Sequence, residues 1–297
     1  MSAEAWAPQV SFIILNFNDR PHLGPCLDAV AQHAAAIPHE TIVVDNASTD
    51  DSVRVLAATR TGFTLLRNAE NVGFARAMNR GAAASRGEFL AFLNTDVVLR
   101  PGTMEALLAE FDRNPSTGAV GPALRTPGGG YQVSFGGRRT FGRELLQKLC
   151  LNARQARALR KRRRRREVRW VSGAFLLVRR SAFEAARGFD EAFFLYFEDI
   201  DLCFRLREAG WDVVYLPAAE AEHEGGVTTA AQPWRSRYAY RKSQLYFYRQ
   251  HNPPLSGFLL RLFLWLDFRL LAWRGALTPD TDPPRERFFA LLKERTP

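Results

Sequence analysis

The strongest constraint on this chain is an alternation. Across the first 125 residues, strand-forming and helix-forming runs take turns, and each strand-forming run ends in polar residues. "VSFIIL" (10–15), "ETIVVD" (40–45), "GFTLLR" (62–67) and "GEFLAFLN" (87–94) predict strands, the first apolar enough to be covered on both faces. "PHLGPCLDAVAQHAAA" (21–36), "STDDSVRVLAATR" (48–60) and "GFARAMNRGAAAS" (73–85) predict helices, the second with Ser48 or Thr49 as N-cap. "RPGTMEALLAEFDRN" (100–114) follows, with Pro101 suited to a helix's first turn. Stacked βα units of this kind imply an α/β fold with a Rossmann-like, mostly parallel sheet.

Ligands of open parallel sheets bind outside the carboxyl ends of the strands. Polar clusters fall at those ends here: Asn16-Phe17-Asn18, Asp45-Asn46, Asn68 to Asn71, and Asn94-Thr95-Asp96. Turn chemistry explains one such cluster; four at successive strand ends point to a site. The first strand is followed by "NFNDRPHLG" and not by GxGxxG, which excludes a dinucleotide-dependent oxidoreductase.

Beyond residue 125 the regularity lapses. "TPGGGYQVSFGG" (126–137) predicts a loop or short hairpin, and 138–167 a helix or disordered segment ending in seven consecutive cations, Arg160 to Arg166. "VRWVSGAFLLVRRSAF" (168–183) contains a strand, a helix runs to Glu208 or Ala209 before Gly210, "WDVVYLP" (211–217) is a further strand, and His223 follows in "AEHEGGVTT". Three regions result: a nucleotide-binding half (9–125), an acceptor-side half (126–250) and a C-terminal helical extension (251–297).

The net charge of +10 implies an anionic partner. Nucleic acid is one class of candidate, but the cations are not interleaved with aromatics and no nucleic-acid module is present. Anionic lipid or a polyprenyl diphosphate is another, and a solvated arginine-rich loop without a partner is the third reading. Residues 255–277 are rich in Leu, Phe and Trp yet carry Arg261, Asp267, Arg269 and Arg274, which argues against a membrane span. The segment is expected either to lie at a membrane interface, anchored by Trp265 and Trp273, or to pack on the protein. Three scattered cysteines and an N-terminus without a basic leader suit the cytoplasm.

"FFLYFEDIDLCFR" (193–205) sets Glu198, Asp199 and Asp201 against an aromatic run. Acidic residues complement a helix start, and a carboxylate beside apolar surface also suits a general base. Asp201 and Arg205, at i and i+4, form a structural pair.

Taken together, "VSFIILNFN", "IVVDNASTD", "NVGFARAMNRG", "LNTDV", "WVSGAFLLVRR", "FFLYFEDIDLCFRLREAGW" and "HEGGVT" resemble, in order and spacing, the family 2 glycosyltransferases of GT-A fold, in their rhamnosyltransferase-like branch, over about residues 9–250. The resemblance implies an inverting transferase that binds a nucleotide sugar through Phe17, Asp45, Asn46, Asn71, Arg76 and Asn94. It implies Mg²⁺ or Mn²⁺ at Asp96 and His223, with Asn94 replacing the first acid of the family's DxD motif. Asp199 matches the catalytic base, with Glu198, Trp170 and Tyr196 on the acceptor side. The implied donor is dTDP-rhamnose, with UDP-linked hexoses and galactofuranose as alternatives. The implied acceptor is a glycan or lipid-linked saccharide at the cytoplasmic membrane face, in cell-surface polysaccharide synthesis. A non-catalytic sugar-nucleotide binder is the alternative from another class.

Overall fold

The computed structural model describes residues 7–142, 164–225 and 233–294. The expected helix or loop at 143–163, with Arg160 to Arg163, lies outside them. The apolar runs of the first half become β1 (Val10–Asn16), β2 (His39–Asp45), β3 (Thr64–Arg67) and β4 (Phe89–Asn94), and the intervening runs α1 (Arg20–His33), α2 (Ser52–Thr59) and α3 (Phe74–Ala83). β3, β2, β1 and β4 pair in parallel in that order, with Asn16 opposite Asp45 and Leu15 opposite Asn94. One face of β1 packs against Leu23, Cys26 and Val30 of α1.

The second half continues the same sheet in mixed orientation. β5 (Val97–Leu99) and α4 (Thr103–Arg113) precede β6 (Thr117–Arg125), β7 (Phe135–Gly136), β8 (Arg166–Glu167), β9 (Trp170–Val171) and β10 (Phe175–Arg179). Then come α5 (Arg180–Ala185), α6 (Glu198–Glu208) and β11 (Asp212–His223). Among the described residues the main sheet runs β3-β2-β1-β4-β10-β6-β11-β5, with β8 paired to β11 and β7 and β9 forming a small ribbon. β10 is antiparallel to both β4 and β6.

Three local expectations shift. α2 starts at Ser52 because the Ser48 hydroxyl is engaged across the turn, accepting from Asn16 Nδ2 (3.0 Å) and Asn18 N (2.9 Å). β6 is hidden in "TGAVGPALR", whose Gly118, Gly121 and Pro122 are poor strand formers. A Cβ on Gly118 would lie 2.6 Å from Trp211, and one on Gly121 2.7 Å from Val171, so close packing sets both glycines. β11 runs on past Pro217 to His223, with a register shift between Leu216 and Glu220. The described end of the arginine run is engaged: Arg165 pairs with the buried Glu110 at 2.9 Å.

The chain divides into two compact units. The first holds the described residues of 7–137, 164–194 and 198–225 and contains the whole sheet. The second holds 138–142, 195–197 and 233–294, so the helix at 233–251 groups with the C-terminal residues and the division falls near Gly225 rather than near 250. The second unit consists chiefly of α7 (Pro233–His251), α8 (Pro254–Trp273) and α9 (Arg285–Lys293). Phe197 packs on Tyr240 and Phe247 of α7, and Phe268 of α8 meets Phe288 of α9 edge-on at 5.2 Å.

Gly81 is where α3 approaches the sheet: a Cβ there would lie 2.4 Å from Ile13 Cγ2 and 3.0 Å from Val44 Cγ2, both fully buried. Helix propensity favours Ala over Gly by about 1 kcal/mol, whereas overpacking a tight core costs about 1–3 kcal/mol. At this separation overpacking wins. Gly81→Ala is expected to lower the free energy of unfolding by about 1–2 kcal/mol, read from the urea midpoint at unchanged slope.

Candidate active site

Strand register gathers the candidate residues. β1, β2 and β4 end together, so Asn16, Asp45 and Asn94 share one edge. β10 runs the other way, which brings its leading residues to the end of β4, where Asn94 N donates to Ala174 O (3.0 Å). β11 is antiparallel to β5 with His223 opposite Val97, which sets His223 beside Asp96.

Asp45 is buried at the end of β2, its Oδ1 accepting from Asn16 Nδ2 at 2.9 Å. Asn16 Nδ2 also reaches Ser48 and Ser52, so one buried amide ties β1 to the turn before α2. Phe17 follows, half-buried, in the bend after β1. The Asn46 amide is occupied at both ends: Nδ2 donates to Asn71 Oδ1 (2.8 Å) and Oδ1 accepts from Asn68 Nδ2 (2.9 Å) and Val72 N (3.1 Å). Asn71 Oδ1 also accepts from Gly73 N (3.0 Å), an Asx turn leading into α3. Asn46 and Asn71 therefore shape the 68–73 loop from within. Arg76 lies on the exposed side of α3, paired with Glu191 at 3.0 Å. Gly73 has φ +84°, and a Cβ there would strike Phe194 O at 2.5 Å; the next residue's N–H donates to that oxygen at 2.7 Å.

Asp96 and His223 converge, with Oδ1 and Nε2 3.3 Å apart. Asp96 Oδ2 accepts from Gly225 N (3.0 Å), and His223 Nδ1 meets Gln132 Oε1 at 2.6 Å. Burial opposes the Asp96 charge, but the His223 side chain and the Gly225 N–H outweigh it and hold the carboxyl below its ordinary range. Among the described residues no three His, Cys, Asp or Glu side chains cluster into a complete metal cage. The Asp96 carboxylate still fits a Mg²⁺-like ion, which is ordinarily held by one or two carboxylates, waters and substrate phosphates, and His223 Nε2 stands beside it as a second donor. The Gln132 contact orients the imidazole so that Nε2 faces Asp96, as a hydrogen bond to the far ring nitrogen does for a metal-bound His.

A network not anticipated from the sequence backs this pair. Asp19 accepts from the Thr95 hydroxyl and meets His22 Nδ1 at 2.5 Å, while His22 Nε2 meets Glu224 Oε2 at 2.8 Å. Burial works against charge on His22, and Asp19 and Glu224 more than offset it, so its pKa lies above 6.5. The network braces the flanks of both Asp96 and His223. The only sequence signal for it was the polarity of "NFNDRPH".

α6 opens with the paired carboxyls. Asp199, half-buried, accepts from Gly173 N (2.7 Å) through Oδ2 and from Ile200 N (2.8 Å) through Oδ1. Gly173 permits this approach, since its Cβ would lie 3.0 Å from that of Asp199. Glu198 is 6% exposed, and its Oε2 has no hydrogen-bond partner among the described residues. Burial first, then the charges of Asp199 and Asp201, push its carboxyl well above the ordinary value of 4.5. Asp201 pairs with Arg205 Nε at 2.7 Å, as the spacing predicts.

The other two acceptor-side candidates are differently disposed. Trp170 is buried in the β7–β9 ribbon with its ring against Gly136, where a Cβ would lie 2.6 Å away. Tyr196 belongs to the second unit, its ring 5.7 Å from that of Tyr240. Tyr196 and Phe197 both have left-handed backbone, φ +69° and +71°, a costly conformation for aromatic residues that concentrates at functional sites.

The family model described as Glycosyl transferase family 2 matches residues 11–187. The chain belongs to this family. It is 33% identical over 293 residues, 93% of this chain and 94% of the relative, to the N-acetylglucosaminyl-diphospho-decaprenol L-rhamnosyltransferase of Mycobacterium tuberculosis (strain ATCC 25618 / H37Rv). It is 24% identical over 73% of each chain to the O-antigen chain rhamnosyltransferase WbaN of Salmonella anatum. In fold it resembles GalNAc-T7, whose crystal structure holds UDP, GalNAc and Mn²⁺, with a TM-score of 0.57 and 14% identity; the match covers 73% of this chain and 44% of that one. The chain is thus a family 2 glycosyltransferase with the GT-A architecture, related to rhamnosyltransferases of cell-wall and O-antigen synthesis.

The Glu198 environment has a measurable consequence. An acid whose folded pKa is raised binds more protons folded than unfolded, so its stability contribution is fully present below about 4.5 and is lost as pH rises toward the folded value. Glu198→Gln removes that loss. The variant is expected to melt higher than the parent at neutral pH, with the advantage shrinking as pH falls toward 4.5 and absent below it, as followed by thermal melts across pH.

Proposed function

We propose that this family 2 glycosyltransferase moves rhamnose from dTDP-rhamnose to a hydroxyl of a lipid-linked saccharide, in a single inverting displacement. The observation that carries the reading is the meeting, at one edge of the sheet, of Asp45, the Asp96–His223 pair and the Gly173-held Asp199. These supply in turn a partner for a pyrimidine imide N–H, a place for the diphosphate and a base for the acceptor.

In this reading Asp45 accepts the imide N–H of thymine or uracil, with Phe17 near the ring and Asn46 and Asn71 setting the shape of the loop alongside. Mg²⁺ or Mn²⁺ at Asp96 and His223 would neutralise charge on the departing diphosphate. Asp199 takes the proton of the acceptor hydroxyl. That oxygen forms its bond to the anomeric carbon from the face opposite the leaving group, and the carbon–phosphate oxygen bond breaks with its electron pair passing to the nucleoside diphosphate. Burial first, then the Asp199 charge, raises the Glu198 carboxyl well above its ordinary range, which favours a proton on Glu198 for donation toward an acceptor oxygen and leaves Asp199 as the proton acceptor of the pair.

The rhamnose assignment rests on the two relatives named above, and the lipid-linked acceptor on the mycobacterial one. A UDP-linked hexose donor is the second reading, favoured by the shared imide of uracil and thymine and by the UDP-bound fold relative.

The test is turnover and binding with dTDP-rhamnose, UDP-glucose and UDP-galactofuranose in the presence of Mg²⁺ or Mn²⁺. Asp199→Asn is expected to lower kcat by about 10²–10⁴-fold with donor Kd little changed, whereas Asp96→Ala weakens donor binding and abolishes its response to metal. Undiminished transfer by Asp199→Asn would remove the base from this scheme.

A further inference from the structure

Nine large hydrophobic side chains are exposed among the described residues, and seven of them are on α8: Leu255, Phe258, Leu262, Trp265, Leu266, Leu270 and Trp273. At about 100° per residue these seven fall within an arc of about 140° on one side of the helix. The buried positions Leu260, Leu264 and Phe268 centre on the opposite side, where Phe268 meets Phe288 and Phe289. α8 therefore carries two apolar faces. One is packed within its own unit, while the other faces solvent, with Leu255 66% and Trp273 81% exposed.

The charges that argued against a membrane span are distributed accordingly. Asp267 pairs with Arg237 at 2.7 Å, and Arg261 donates to Leu292 O at 2.7 Å, so both serve the packed side. The charge within the exposed arc is Arg269, whose guanidinium lies 4.8 Å over the Trp265 ring, and Arg274 stands at the C-terminal end. No acidic residue is exposed on α8. Between 233 and 294 there are eleven Lys and Arg against five Asp and Glu. Among the described residues no helix is long and apolar enough to cross a membrane.

We infer that the exposed face of α8 docks on an anionic lipid bilayer, with the helix lying in the interface plane. The apolar arc enters the acyl boundary, Trp265 and Trp273 sit at headgroup depth, and the Arg269 stem runs along the indole so that its guanidinium reaches the phosphates. An apolar face of this length rimmed by cations matches a negatively charged surface with an apolar interior. A second copy of the chain offers the same excess of positive charge, which disfavours it as the occupant.

The test uses the full chain and co-sedimentation with vesicles of phosphatidylcholine, with and without phosphatidylglycerol. Binding is expected to require phosphatidylglycerol and to weaken with salt. Leu262→Glu/Leu266→Glu should weaken it by at least about tenfold at unchanged melting temperature, since both positions are exposed. Arg269→Gln should reduce only the preference for anionic vesicles. Tryptophan fluorescence should be quenched by brominated acyl chains, and Trp265→Phe/Trp273→Phe should remove that quenching. No vesicle binding, binding indifferent to the Leu→Glu pair, or a dimer in solution that the same pair dissociates would each overturn the inference. None of these readouts involves a nucleotide sugar, so failure here leaves the transferase reading standing, and failure of that reading leaves this one.

Discussion

The site depends on one strand running against its neighbours. β10 is inserted antiparallel between β4 and β6, so its leading residues, not its trailing ones, arrive where β4 ends. Gly173 thereby comes to the edge that Asp45 and Asn94 already occupy, and its N–H holds the Asp199 carboxyl at 2.7 Å. A parallel strand in this place would deliver Gly173 to the far edge of the sheet. An all-parallel continuation would satisfy the hydrophobic requirement equally well, yet it would separate Asp199 from Asp45 and the Asp96–His223 pair.

Within the edge, two adjacent carboxyls in one helical turn receive different treatment. Asp199 is given two backbone N–H groups, whereas Glu198 has a buried oxygen without a partner among the described residues and a raised pKa. An unsatisfied buried polar atom costs of the order of 1–3 kcal/mol, and the fold retains it beside its candidate base. The left-handed backbone at Tyr196 and Phe197 adds strain in the two residues before it. Local cost of this kind is thus concentrated in three consecutive residues that lead directly to Asp199.

The strands and helices of the first half were legible because burial on both sheet faces leaves continuous apolar runs, as in "VSFIIL" and "GEFLAFLN". β6 was not, because Gly118, Gly121 and Pro122 answer to the side chains pressed against them and not to local propensity. The Ser48 hydroxyl, a plausible N-cap in one dimension, is captured by β1 in three. Motif order singled out Asp45, Asp96 and Asp199, but not the contacts each candidate makes: that Trp170 lies against Gly136, or that the Asn46 amide bonds Asn68, Asn71 and Val72, depends on residues distant in the chain. The His22–Glu224 contact joins residues 202 positions apart, and no local pattern carries information over that distance.

The approach of Gly73 to Phe194 reaches beyond a single glycine. The loop entering α3 and the residues just before α6 share a backbone hydrogen bond at a separation that leaves no room for a Cβ. The loop at 68–73 and the segment at 193–199 are therefore not independent modules. An insertion in 68–73 would displace the chain that leads to Glu198 and Asp199, and a chimera that imports the first hundred residues from another family member would need to import its counterpart of 193–199 as well. Specificity in this chain can drift by side-chain replacement far more readily than by exchange of halves.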